Sequence, residues 1–286
     1  MVLGGGGPSS GRGRLKDRLI GQPCAYCAGA RVSTTIDHMP AKVVFLGKHR
    51  PRGLEFPSCE ECNKATSNAE LFAAVMTREP ATPEDVEELR KLMQGVRDTV
   101  PGLMEELFAY PPWLGPIPVA LGQPPPLYVA GPLVHHHMRL FAAKFGFAMH
   151  HALTGVPLSA MGGVLGRWFT EPDGAHRELP NTMKLMGLPT TLAQGVKTVR
   201  DQFEYQTYSS KTLELNCSVI RIRKSISLLA VSATDRRSLF KVNNNKWGIW
   251  APGDLVAGIP SVTPTGGGGF PAQQRFMGPA ASVPDR

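Results

Sequence analysis

Two C-x-x-C pairs, Cys24/Cys27 and Cys59/Cys62, stand out in this 286-residue chain as residues whose type and spacing do chemistry. Four thiolates in two knuckles form a closed tetrahedral set for a structural zinc ion, with no position left open for a substrate. These pairs take four of the five cysteines, and Cys217 lies in an apolar, strand-like stretch that reads as a buried thiol. The first residues form no apolar h-region, and no apolar run is long enough to span a bilayer. The expected setting is therefore a reducing cytoplasm without membrane partners, where paired knuckles hold metal and not disulfides.

A second set lies beside the first. Asp37-His38 falls between the knuckles, and Asn63 follows the last cysteine. Arg31 to Ile36 (RVSTTI) is β-branched and predicts a short strand that ends at Asp37-His38. Ser58 with Glu61 fits a capping box, so a helical turn is expected at the second knuckle, with Asn63 in it. A zinc clamp would draw the strand end and the helix start together. Asp37 and Asn63 then offer oxygens to a hard cation, magnesium or manganese, with water completing its shell. His38, with an ordinary pKa near 6.5, suits a general base that deprotonates water. Other readings of the same residues stay open: Asp37 orienting the His38 ring, His38 replacing a cysteine at zinc, or Asn63 serving the helix start.

C-x-x-C, then Asp-His, then C-x-x-C-Asn resembles the HNH (ββα-metal, His-Me finger) endonucleases, and within them the zinc-containing branch that includes the phage endonuclease VII proteins. The likeness covers about Leu15 to Arg78, a quarter of the chain. It implies structural zinc on Cys24, Cys27, Cys59 and Cys62, His38 as general base, and a catalytic Mg2+ or Mn2+ on Asp37 and Asn63. It implies hydrolysis of phosphodiester bonds in DNA. One departure is visible: many HNH proteins carry an Asn before the second knuckle that braces the His-bearing loop, and here that region reads Gly53-Leu54-Glu55-Phe56-Pro57-Ser58.

The elements expected to position these residues make an α+β protein. Residues 1–14 read as a flexible Gly/Ser tail, and 15–78 as an HNH-like, treble-clef-like zinc domain of ββα-metal type. A helical segment at 79–110, with Pro83 in its first turn, leads to a Pro-rich linker at 111–126. A separate α+β domain is expected at 127–260, followed by a Gly/Pro-rich tail at 261–286. Ser67 with Glu70 reads as a further capping signal. In the C-terminal region, Leu133 to Leu153 predicts a helix, Val164 to Phe169 a strand and Thr191 to Phe203 a helix. Leu213 to Ala233 holds two β-rich runs, and Leu239 to Val242 and Lys246 to Trp250 flank a hairpin-like turn at Asn243-Asn244-Asn245. His135, His136, His137, His150 and His151 read as surface or satisfied core histidines in preference to a second metal site.

The formal charge is +8, from 31 Lys and Arg against 23 Asp and Glu. Its positive excess is concentrated in the first fifty residues, which favours a polyanionic partner: DNA, or RNA of like charge. Within the loop, Lys42, Lys48, His49, Arg50 and Arg52 are the candidates for phosphate contacts, which position a backbone without reading its sequence. Cutting both strands would need two sites or two binding events, and a homodimer is one way to supply them. Two other classes fit the same residues: a zinc-dependent nucleic-acid-binding module without cleavage, and a zinc-stabilised protein–protein adaptor.

Overall fold

The computed structural model describes residues 11–78, 80, 82–108, 131–170, 184–194, 197–223, 225–243 and 248–261. The expected linker at 111–126 lies outside the described residues, as do nearly all of the two expected tails.

After a short helix, α1 (Gly11–Leu19), the chain makes its first knuckle and enters an antiparallel hairpin of β1 (Thr35–His38) and β2 (Glu55–Ser58). The two strands pair Thr35 with Ser58 and His38 with Glu55. The strand β1 thus begins later than the β-branched run suggested, and it ends at Asp37-His38 as expected. Helix α2 (Glu60–Ala65) starts directly after β2, with Cys59 as its N-cap and Cys62 in its first turn. The expected Ser58/Glu61 box does not form, because the Ser58 hydroxyl turns to the Cys59 carbonyl instead. Helix α3 (Ser67–Thr77) follows, then α4 (Pro83–Thr99) and α5 (Leu103–Leu107). At α4 the cap is as the sequence predicts: Thr82 accepts from the Asp85 N–H and Asp85 reaches back to the Thr82 N–H.

Helix α6 (Pro132–Thr154) is central. From Leu140 to His150 every residue is buried, so the helix is covered on all sides. One side lies on a five-stranded antiparallel sheet of order β6-β7-β8-β3-β9, and the other on α3 and α5. The strands are β3 (Gly163–Phe169), β6 (Phe203–Ser209), β7 (Leu215–Ile222), β8 (Ile226–Ala233) and β9 (Ile249–Trp250). A small separate pair, β4 (Ala193–Gln194) and β5 (Lys197–Thr198), lies within 191–203. The helix meets the sheet at two glycines. A Cβ on Gly166 would lie 2.7 Å from the Ala143 backbone nitrogen, and one on Gly146 would lie 2.3 Å from Val164 Cγ1. Bare backbone at both positions is what lets α6 sit this close. Helices α7 (Arg237–Asn243) and α8 (Asp254–Ala257) complete the described chain.

A single buried apolar cluster runs from Cys24 and Tyr26 through Phe72, Phe141 and Phe145 to Trp250 and Leu255. A smaller one, with Leu165, Cys217 and Leu229, lies on the sheet's other face. Buried residues of the C-x-x-C region and of the α+β region thus fall in one apolar cluster. The reason is that α6 is buried around its whole circumference from Leu140 to His150 and is covered on the side away from the sheet as well. Two further expectations are corrected. The described residues of 191–203, which leave out 195 and 196, form short strands and a turn instead of a helix, and Leu239 to Val242 falls in helix α7 instead of a strand. Asn244 and Asn245 of the expected turn lie outside the described residues.

Candidate functional site

The first knuckle is a tight turn. The N–H groups of Gly29 and Ala30 donate to the carbonyls of Cys24 and Cys27, at 3.2 and 2.9 Å, with Gly29 at φ +72°. The Tyr26 N–H points at Cys24 Sγ, 3.5 Å away. The hairpin then delivers the second knuckle: Ala25 N–H donates to the Pro57 carbonyl and Thr34 N–H to the Ser58 carbonyl, and Cys59 and Cys62 follow at the start of α2. The four sulfurs lie within 4.8 Å of one another, all buried. Tetrahedral zinc with Zn–S of about 2.3 Å places its sulfurs about 3.8 Å apart, which falls within the span of this set. Four thiols gathered under burial fit a metal that takes them as thiolates, and they could hold zinc.

The second set is arranged differently from the expectation. In β1, Asp37 and His38 face opposite sides of the hairpin, as strand alternation demands. Asp37 points inward and is 3 % exposed. The Tyr26 hydroxyl donates to its Oδ2, and Lys144 Nζ lies 3.0 Å from Oδ1 and from Oδ2. Lys144, from the middle of α6, also donates to Glu70 Oε1 of α3 at 2.6 Å. The ammonium is fully buried between two carboxylates. Burial by itself would depress the Lys144 pKa, and the two carboxylates outweigh it, so the net direction is upward. Glu70 is pushed up to about 7, first by burial and against the pull of Lys144, with the Asp37 charge adding to the rise. Near neutral pH Glu70 is thus poised to gain or lose its proton beside the Lys144 ammonium. The Tyr26 phenol is driven well above its ordinary range by burial and by Asp37.

Asn63 donates its side-chain amide to Thr35 Oγ1 at 3.3 Å. Thr35 is two residues before Asp37 on the same strand face, about 7 Å along the strand. The hairpin does bring Asn63 to the face that carries Asp37. A hard cation at Asp37 would need open oxygen lone pairs and room for water. Here both oxygens already accept from donors, the group is sealed, and a positive ammonium stands at its mouth. Asp37 and its surroundings do not fit a catalytic Mg2+ or Mn2+ as they stand.

His38 lies on the outer side, half-buried. Its pKa is held below the ordinary imidazole value, first by burial and then by the Arg50 guanidinium nearby. The chain between the strands carries Lys42, Lys48, His49 and Arg52 in exposed positions. Arg50 departs from this expectation. Its side chain is 1 % exposed and is taken up by backbone carbonyls and Glu55, so it offers nothing to a phosphate.

Two of the five histidines of α6, His135 and His150, are buried with side-chain partners. His135 Nδ1 lies 3.2 Å from Trp168 Nε1, and His150 Nδ1 lies 3.2 Å from both Ser232 Oγ and Asn216 Nδ2. Burial lowers the pKa of both to about 4. Burial likewise pushes the Cys217 thiol up to about 12. Sequence reasoning missed Lys144, Glu70 and Tyr26. One signal was present: Lys144 is the sole Lys, Arg, Asp or Glu from Leu140 to Thr154, and a lone charge in so apolar a run calls for a buried partner. No described helix is long and apolar enough to cross a membrane. No protein-family model, no curated protein and no solved structure matches the chain.

Proposed function

We propose that this chain is a zinc-stabilised nucleic-acid-binding protein, built on an HNH-like hairpin and helix, in which Asp37 holds the core together instead of holding a catalytic metal. The observation that carries this reading is the Lys144 ammonium 3.0 Å from both Asp37 oxygens in a sealed site. A dication there would have to displace a buried cation and admit water. Binding rests on a different surface: Lys42, Lys48 and Arg52 are exposed on the connection between β1 and β2. These contacts are to phosphate, so binding is expected to be tolerant of sequence and steeply dependent on salt.

The nuclease reading keeps one observation in its favour. His38 sits at the end of β1 on the outer side, with its pKa lowered, so it is neutral and able to take a proton near pH 7. One experiment separates the two. The zinc-loaded full chain is titrated with a short DNA duplex at several salt concentrations, and incubated with supercoiled plasmid in magnesium, manganese or EDTA. The expected result is binding with a slope of about −3 in log K against log salt, from three cations at about 0.9 each, and an intact plasmid. Metal-dependent nicking that disappears in His38→Ala would overturn the reading in favour of the endonuclease. Absence of salt-sensitive binding would favour the adaptor.

A further inference from the structure

Arg50 is the most heavily bonded side chain in the connection between β1 and β2. Its guanidinium donates to five backbone carbonyls: Pro40 at 2.7 Å, Pro51 at 2.9 Å, Met39 at 3.1 Å, Gly53 at 2.5 Å and Leu54 at 3.2 Å. Met39 and Pro40 are the residues leaving β1, and Gly53 and Leu54 are those entering β2. Glu55, the cross-strand partner of His38, holds Arg50 Nη1 at 3.3 Å and accepts the Gly53 N–H with both oxygens at 2.9 Å. Gly53 has φ +117°, open to a residue without Cβ, and Leu54 has φ +56°, a left-handed course uncommon for a branched side chain. The far part of the loop is pinned as well: Gln202 accepts the Leu46 N–H at 2.9 Å, and Arg78 donates to the Val43 carbonyl at 3.2 Å.

All the exposed cations of this loop, Lys42, Lys48 and Arg52 among them, lie between the two chain ends that Arg50 stitches together. We propose that Arg50 is a positioning residue: its buried guanidinium closes the neck of the β1–β2 connection and pre-organises the exposed cations as a phosphate-binding surface without touching phosphate itself. A loop ordered in advance does not lose its freedom on binding, so its contacts appear in full as affinity. The chemical reason for arginine is the planar fork. Lysine keeps the charge but offers three donors on one nitrogen, which cannot span carbonyls on both sides of the neck.

This inference rests on the nucleic-acid-binding reading, and the test has one arm that does not. Arg50→Lys, Lys48→Ala and wild type are compared as zinc-loaded full chains. The first arm is amide hydrogen exchange. Arg50→Lys is expected to raise exchange across residues 39–54 by about tenfold or more, with α6 unchanged. The second arm is duplex binding against salt. Lys48→Ala is expected to reduce the salt slope by about one, and Arg50→Lys, with charge conserved, to weaken binding by about tenfold and reduce the slope by more than one. Unchanged exchange at 39–54 in Arg50→Lys overturns the clamp, whatever DNA does. Faster exchange with unaltered binding overturns the phosphate role of the clamp. If wild type fails to bind duplex at low salt, the binding reading falls and the phosphate role with it, while exchange still decides the clamp. Should Arg50→Lys lose its zinc or its fold, Glu55→Gln removes one of the guanidinium's supports and is read by the same two arms.

Discussion

Replacing Lys144 by methionine removes the counter-charge of two buried carboxylates while keeping most of the side-chain volume. Breaking a buried ion cluster by deleting one partner costs about 3–5 kcal/mol, because the remaining charge is left in the interior. The cost should depend on pH, and its sign follows from Glu70. In the intact protein burial and Asp37 raise the Glu70 pKa and Lys144 lowers it, with a balance at about 7. Without Lys144 the two raising causes act alone, so folded Glu70 keeps its proton to higher pH while unfolded Glu70 has lost it. Stability then falls with rising pH over a wider window than in wild type. Each added pH unit of that window removes about 1.4 kcal/mol. From pH 5 to 8 the wild-type window closes near 7, and that of Lys144→Met runs on through 8. The variant's cost is thus expected to be about 3–5 kcal/mol at pH 8 and about 1–2 kcal/mol less at pH 5. Urea unfolding of zinc-loaded protein at both values measures it. A cost below about 1 kcal/mol at pH 8, or one larger at pH 5 than at pH 8, would show that Lys144 is not the counter-charge of this core. The triple variant with Asp37→Asn and Glu70→Gln is expected to recover most of the loss, since a neutral hydrogen-bonded core replaces uncompensated charge.

In Glu70→Gln alone, the group whose folded pKa is raised is absent. Wild type is expected to lose stability as pH rises from about 4.5 to about 7, and the variant to show this fall diminished by up to about 3 kcal/mol in a pH series of unfolding curves. An unchanged slope would place the titration elsewhere. Cys59→Ser removes one thiolate from the four-sulfur set, so metal analysis should find one zinc per chain in wild type and a weakened or empty site in the variant. Because Cys59 and Phe72 belong to one buried cluster, thermal unfolding should show loss of stability for the whole chain and not for the hairpin alone. Gly166→Ala puts a Cβ 2.7 Å from the Ala143 backbone nitrogen and 3.0 Å from the Ala142 carbonyl carbon, against helix backbone that cannot step aside. Denaturant unfolding should register a loss of about 1–3 kcal/mol, and an unaltered midpoint would mean that α6 moves freely over the sheet.

Much of the hairpin was legible in the sequence because its signals are local. Paired C-x-x-C knuckles, a β-branched run stopping at Asp37-His38, and Thr82-Pro83-Glu84-Asp85 each specify their own turn, strand end or helix start within a few bonds. The β-rich runs that became β7 and β8 were equally plain. Short-range pattern failed where a nearby partner was outbid by a distant one. Ser67 and Glu70 have the spacing of a capping box, yet Glu70 reaches Lys144, 74 residues on, because a buried ammonium binds a carboxylate more strongly than an exposed backbone N–H does. Residues 191–203 carry a helical stripe, but Thr190 pairs with Tyr205 along the sheet edge and draws the segment into extended and turn conformations. Arg50 reads as one more cation in a basic loop until the loop folds back and turns its carbonyls inward. Asp37 shows the division most clearly. Residue type and its place between the knuckles determined that it sits in a hairpin whose four cysteines could hold a metal ion. That its charge is met by Lys144, 107 residues away, was decided by how α6 packs against the hairpin, since no local rule relates a strand end to the middle of a distant buried helix.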